Sequence, residues 1–159
     1  MNKKIFTNFM LLCCILMVSC SNEDERSSLS VIGTWNATTL IEDEVYTDLE
    51  KEEHNEVEIS YGSYVWVFVE NGDVKVIGSV DDFKWYKIGE EPTNYQTFIF
   101  NKNQMKLLMR FSDASKSPAI YDVLELSDTE MILRDSDKWL NLGQGEIIIT
   151  RTLTLKRIN

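Results

Sequence analysis

The segment Tyr64-Val-Trp-Val-Phe-Val-Glu-Asn-Gly-Asp-Val-Lys-Val-Ile-Gly-Ser-Val80 decides the fold. Two runs of β-branched and aromatic residues flank Asn71-Gly72, and Asn-Gly between apolar runs is the strongest short-range signal for a β-hairpin, because both residues tolerate positive φ. The pattern predicts strands at Tyr64–Glu70 and Asp73–Val80. Side chains alternate along a strand with a period of two, so Tyr64, Trp66 and Phe68 share one face while Val65, Val67 and Val69 share the other. One wall of the fold is therefore lined with rings.

The same texture continues on both sides. Further strands are read at Gly33–Ile41, Phe83–Ile88, Tyr95–Phe100, Met105–Phe111, Ala119–Leu126, Met131–Arg134 and Glu146–Ile158. The connectors Asn101–Asn103 and Ser127–Thr129 are short and rich in turn residues, as sequential antiparallel strands require. So many β-rich strands would expose aggregation-prone edges unless the sheet closed on itself. The expected fold is thus all-β: an antiparallel up-and-down (meander) β-barrel of about eight strands. Longer connections are expected at Asp43–Ser63, Ser112–Pro118 and Asp135–Gly145, the first with a short charged helical turn around Leu49–His54.

Upstream of the barrel the chain has a different character. Lys3 and Lys4 precede an apolar run from Ile5 to Val18, interrupted only by Thr7 and Asn8, which reads as a secretory leader. It is shorter than the roughly 20 apolar residues that a membrane-spanning helix needs. Met17-Val18-Ser19-Cys20 resembles a bacterial lipobox. The resemblance implies cleavage after residue 19, with Cys20 as the lipidated first residue of the mature chain. Three acyl chains at about 0.8 kcal/mol per buried CH2 are more than enough for stable anchoring. Ser21-Asn22-Glu23-Asp24-Glu25 resembles the acidic export signal of surface lipoproteins of the Gram-negative outer membrane. The domain organisation follows: 1–19 a lipoprotein signal peptide, 20–30 a lipidated polar tether, and 31–159 the barrel. With Cys13 and Cys14 in the removed leader and Cys20 lipidated, no internal disulfide is expected.

The 159-residue chain carries a formal net charge of −10, and its acids are concentrated. Glu42, Asp43, Glu44, Asp48, Glu50, Glu52, Glu53, Glu56 and Glu58 are opposed between them only by Lys51. Such a surface repels phosphate backbones, so nucleic acid is not an expected partner. The run itself reads as a solvated loop.

Val31-Ile-Gly-Thr-Trp35, at the start of the first strand, resembles the Gly-x-Trp opening motif of lipocalins, and in particular the lipocalin-like domains of bacterial surface lipoproteins. The hairpin Phe68-Val-Glu-Asn-Gly-Asp-Val74, the stretch Tyr121–Leu133 and the ending Thr152-Leu-Thr-Leu-Lys-Arg-Ile158 fit the same pattern. The resemblance implies that Gly33 and Trp35 close one end of the barrel, with a basic residue of the last strand across the indole. Arg157 is matched to that role, and Arg151 is the second choice. The Thr-Asp-x-x-Tyr motif of animal lipocalins, their disulfide and their C-terminal helix have no counterpart here.

Catalytic chemistry is hard to assemble from these residues. His54 is the single histidine, and neither a triad nor a histidine–cysteine metal cage can form around it. Asp81-Asp82, Glu90-Glu91 and Asp135-Ser-Asp137 are carboxylate pairs placed at expected turns, and Trp139 occupies a position that an EF-hand loop needs for a ligand. The expectation is a non-enzymatic protein without metal or cofactor, lipid-anchored in the outer membrane and facing the cell exterior. Its ring-lined lumen, built from Tyr64, Trp66 and Phe68 with Trp85, Tyr86, Tyr95 and Phe98, suits a small hydrophobic or aromatic ligand. The alternative is a filled barrel that serves as an interaction or accessory module of an outer-membrane assembly.

Overall fold

The computed structural model describes residues 29–78, 95–115, 117–141 and 145–158. Within them every regular element is a β-strand: β1 Gly33–Tyr46, β2 Lys51–Glu58, β3 Tyr64–Phe68, β4 Val74–Gly78, β5 Tyr95–Asn101, β6 Lys106–Phe111, β7 Ala119–Leu126, β8 Glu130–Asn141 and β9 Gly145–Ile158. They form one antiparallel sheet in the order β4-β3-β1-β9-β8-β7-β6-β5, with β2 also paired to β1. The sheet curls until its two ends meet. Phe98 N–H donates to Gly72 O at 2.8 Å, and Asp73 bridges Thr97. The result is a nearly closed antiparallel barrel, as the strand pattern predicts.

Strands β2 and β3 lie along the same edge of β1 and act as one interrupted strand. β2 pairs from Tyr46↔Lys51 down to Thr39↔Glu58, and β3 resumes from Asn36↔Val65 to Gly33↔Phe68. Between them Ile59–Ser63 detours outward, held by Ile59 N–H to Thr38 O at 2.8 Å and by Gly62 N–H to Asn36 Oδ1 at 2.6 Å. The Asn36 amide donates in turn to Ala37 O at 2.7 Å. A buried asparagine on the outer side of β1 is explained by this double duty, since both backbone groups need partners.

Register irregularities keep the apolar residues inside. β1 carries a bulge between Ala37 and Thr39, so Trp35 and Ala37 before it and Leu40 after it all point into the barrel despite the change of parity. A similar shift between Val123 and Glu125 lets both Val123 and Leu126 reach the interior. The core joins these to Tyr64, Trp66 and Phe68 of β3, Val74 and Val76 of β4, Leu107 and Met109 of β6, Met131 and Leu133 of β8, and Leu153 and Leu155 of β9.

Three expectations are corrected. The Asp43–Ser63 segment is neither a loop nor a helical turn: β1 runs on to Tyr46 and β2 fills Lys51–Glu58. Its strand character comes from pairing with β1 and not from its own residues, of which Val57 is the single apolar one. Asp135–Gly145 is likewise mostly strand, because β8 pairs with β9 continuously from Glu130↔Lys156 to Asn141↔Gly145. The Asn71-Gly72 hairpin is wider than a two-residue turn: Val69 N–H bonds Asp73 O at 2.9 Å, and Gly72 takes φ 89°. A glycine in the left-handed region closing a three-residue loop is the next commonest hairpin geometry. The strand read at Phe83–Ile88 lies outside the described residues, as do the leader, Cys20 and most of the tether.

Replacing Asn36 by alanine removes a partner from the Gly62 N–H and from the Ala37 carbonyl at once. The expected cost is about 2 kcal/mol in urea unfolding, accompanied by faster hydrogen exchange at the Gly62 amide than at the neighbouring β3 amides.

Candidate functional site: an aromatic inner layer beneath a charged band

The interior is organised in layers along β1. At its start, Trp35 faces Trp66 across the β1–β3 pair and Arg157 across the β1–β9 pair. The Arg157 guanidinium carbon lies 4.2 Å from the centroid of the fully buried indole. Such a cation–π contact contributes about 0.5–2 kcal/mol. The same guanidinium donates to three carbonyls: Nε to Asp128 O at 2.7 Å, Nη1 to Ile32 O at 2.6 Å and Nη2 to Ser30 O at 2.8 Å. The indole N–H donates to Val31 O at 2.7 Å. Arg157 and Trp35 therefore close this end and bind the incoming chain. Gly33 sits where the arginine crosses, with φ 133°, and a Cβ there would collide with Arg157 Nη1. The spacing of glycine and tryptophan in the opening motif has this steric cause.

The next layer is aromatic. Tyr64, Trp66 and Phe68 all point inward and are buried. Their rings pack on one another and on rings from across the barrel: Tyr64–Trp66 edge-on at 5.9 Å, Trp66–Phe68 tilted at 6.0 Å, Trp66–Tyr121 edge-on at 5.7 Å and Phe68–Phe98 edge-on at 5.0 Å. These separations lie within the range of favourable aromatic pairs. Of the expected ligand-lining residues, the structure thus brings Tyr64, Trp66, Phe68 and Phe98 together and adds Tyr121. That residue is partly buried on β7, two residues before Val123 on the same face. Trp85, Tyr86 and the side chain of Tyr95 lie outside the described residues.

Above the rings the inward face changes from apolar to ionic. Leu40, Glu42, Glu44 and Tyr46 follow one another on β1, and all four are buried. Glu42, Arg151 and Asp135 are aligned across β1, β9 and β8. Arg151 is only 3% exposed, and it donates from Nε to Glu42 Oε2 at 3.1 Å and from Nη1 to Asp135 Oδ2 and Asp137 Oδ2, each at 3.0 Å. Glu44 accepts a 2.6 Å hydrogen bond from the Tyr46 hydroxyl, which is pushed up to about 12 mainly by that bond and by burial. Arg151 therefore takes no part in capping Trp35. The reading of Glu42 and Glu44 as members of a solvated loop is overturned, as is the turn placement of Asp135 and Asp137.

Burial and ion pairing oppose each other in this band. Desolvation raises Glu42 and Asp135 above their ordinary values, and attraction to Arg151 only partly offsets it. Arg151 is held above its own ordinary value, because Asp135, Asp137 and Glu42 outweigh the desolvation that acts against its charge. A buried pair of this kind adds little net stability, yet deleting one partner costs about 3–5 kcal/mol, because the other charge is stranded. One oxygen of each of the three carboxylates accepts a hydrogen bond from the same guanidinium. Among the described residues no group of three or more His, Cys, Asp or Glu side chains is placed to hold a metal ion. His54 meets Asp43 through Nδ1 at 2.6 Å, with both side chains well exposed.

Alternation was the signal for the band: Leu40-x-Glu42-x-Glu44-x-Tyr46, Leu133-x-Asp135-x-Asp137 and Arg151-x-Leu153-x-Leu155 each continue a core face without a change of parity. The chain matches no known protein-family model, and no curated protein matches it in sequence.

The raised values of Glu42 and Asp135 give a pH dependence of definite sign. The folded state keeps their protons at a pH where the unfolded chain has released them, so stability falls as pH rises through that window. Acidification from neutral toward their ordinary values of 4.5 and 3.8 therefore raises the melting temperature. Calorimetry should show this rise, and Glu42→Gln should flatten it; an unchanged slope in the variant would assign the effect to the general excess of acids.

Proposed function

We propose that the chain is a lipid-anchored, non-catalytic interaction module of the outer membrane, with a lipocalin-like barrel displayed on the cell exterior. The observation that carries this reading is the packing of the described inner residues: the rings of Tyr64, Trp66 and Phe68 are each at most 2% exposed, and Trp66 and Phe68 meet Tyr121 and Phe98 of other strands edge-on. A lumen used for a guest keeps its rings apart to accept one, whereas rings in mutual edge-on contact behave as core. The charged band over them adds a second, polar layer in which the ionic side chains are matched to each other. What such a barrel offers to a partner is its outer surface.

The anchor is the other half of the proposal. The lipobox-like run ending at Cys20 gives the mature chain a fatty N-terminus, and the polar residues after it act as a short spacer. The spacer joins the barrel at Ser30–Ile32, where Arg157 holds the carbonyls of Ser30 and Ile32 and Trp35 takes that of Val31 between them. A tether attached at that point pulls directly on these three hydrogen bonds. The absence of a catalytic constellation among the motifs of the sequence fits a passive scaffold.

Two measurements test the reading. Cys20→Ser should abolish labelling by a radioactive fatty acid and move the protein from the membrane to the soluble fraction, while surface proteolysis of intact cells removes the wild-type protein. Titration of the purified protein with fatty acids, tetrapyrroles and small phenols should leave its tryptophan emission and melting temperature unchanged. A ligand that raises the melting temperature and quenches Trp66 would replace the filled-core reading with a small-molecule carrier.

A further inference from the structure

The outer wall of the barrel carries two faces of opposite charge. Phe98, Leu107, Met109 and Tyr121 point inward, so the residues beside them, Ile99, Leu108 and Ile120, point outward by alternation. The register places these three in one row: Ile99 is opposite Leu108, and Leu108 is opposite Ile120. Directly opposed side chains on one face of an antiparallel pair stand about 5 Å apart at Cβ, so the row is a continuous aliphatic strip. Ile99 and Ile120 are each 54% exposed. Lys106 and Arg110 flank Leu108 on the same face of β6, and Arg134 stands at the rim on β8, opposite Asp122. Asp122 serves both Lys106 and Arg134, while Arg110 is exposed and meets no acid among the described residues. On this face three bases stand against one acid, in a chain whose net charge is −10.

The face beyond β8 and β9 has the reverse character. Glu42 and Glu44 point inward, so Ile41, Asp43 and Val45 point outward, and the β1–β2 register sets Glu56, His54 and Glu52 opposite them. Val45 is 37% exposed, and Glu52 and Glu56 are exposed as well. Here too aliphatic side chains stand among charges, but the charges are acidic. The spacing of the charges is also shared. Lys106 and Arg110 lie four residues apart on β6, and so do Glu52 and Glu56 on β2, about 13 Å in each case at the usual rise per strand residue.

Building on the interaction-module reading, we infer that copies of this chain assemble head to tail: the β1–β2 face of one covers the Ile99–Leu108–Ile120 strip of the next, with Glu52 and Glu56 meeting Lys106 and Arg110. The two faces belong to different strands, so the contact is heterologous and propagates into a row or closes into a ring. Charge selects this occupant. A two-fold contact through either face alone would set bases against bases or acids against acids. An anionic lipid surface repels the chain as a whole. Between two copies the overall charges are screened beyond about 8 Å at physiological salt, whereas the opposed faces act at contact distance. The complement that the strip requires, acids interleaved with aliphatic side chains on a sheet surface, is already present on the same chain.

The test is made on intact cells with the full-length chain, whose barrel has no cysteine of its own. Two differently tagged forms, Ile99→Cys and Val45→Cys, are co-expressed and treated with a short bismaleimide, with cells carrying the wild-type chain as blank. Dimers that join the two tags should form about tenfold more than from Ile77→Cys with Val45→Cys, a pair that reports collision alone, since Ile77 is an exposed residue of β4 on neither face. Lys106→Glu with Arg110→Glu in the Ile99→Cys form should reduce the product to the collision level. Adding Glu52→Lys with Glu56→Lys to the Val45→Cys form should then restore it, a rescue that misfolding of the first variant cannot produce. A collision-level product from the Ile99→Cys and Val45→Cys pair overturns the inference. So does efficient linkage of Ile99→Cys to itself, which makes the contact two-fold, or its linkage to a protein of another mass, which gives the strip to a different partner. The fatty-acid labelling and the ligand titrations read the anchor and the interior, so the module reading can stand where head-to-tail assembly fails.

Discussion

Everything in the barrel's arrangement is referred to the crossing of Arg157 over Trp35. A guanidinium has donors in a fixed fork, and here the fork holds Ser30, Ile32 and Asp128 by their carbonyls while its face covers the indole. This locks the last strand to the first in a single register, because sliding by one residue would turn Arg157 outward. With that register set, Ala37, Leu40, Leu153 and Leu155 face inward together, and the long β1–β9 pair becomes the spine against which the other strands are ordered.

The same register carries polar residues into the interior farther along the spine. Once Leu40 and Leu153 are opposite each other, two further residues along each strand place Glu42 opposite Arg151, and β8 places Asp135 beside the same arginine. The chain retains a buried ionic layer where an apolar one would be simpler. Its benefit is specificity: a slipped β8 or β9 would strand charges in an apolar environment, which is far costlier than misplacing a leucine. Rings and leucines supply the stability, and the ionic layer makes one alignment of β1, β9 and β8 distinct from its neighbours.

How much of this could be read from the chain follows from where each signal resides. The ring face of β3 is local alternation in six consecutive residues, and the Gly33–Trp35 plug is a short motif, so both are legible. β2 is not, because Lys-Glu-Glu-His-Asn-Glu-Val-Glu has the composition of a loop and becomes a strand through β1 alone. The ionic layer is hidden for a different reason: Arg151 lies 109 residues from Glu42 and 16 from Asp135 in the chain. Isolated, each acid looks like surface or turn chemistry. Only the extension of β1 and β8 past their apolar residues shows that these acids stay on the core face. Tyr121 is hidden for a third reason: its neighbours Ile120 and Asp122 give its strand no clean alternation of polar and apolar residues.

The closure of the barrel also has a mechanical meaning. Among the described residues, β1 and β9 are zipped along nearly their whole length, while the β4–β5 junction consists of the Asp73–Thr97 bridge and the bond to Gly72. Among the described residues this junction has the fewest bonds to break, so an excursion there costs less than one along the β1–β9 pair. Water admitted by such an excursion reaches Phe98 and Phe68 before it reaches Trp35, so the aromatic layer is exposed sideways through the wall and not through either end.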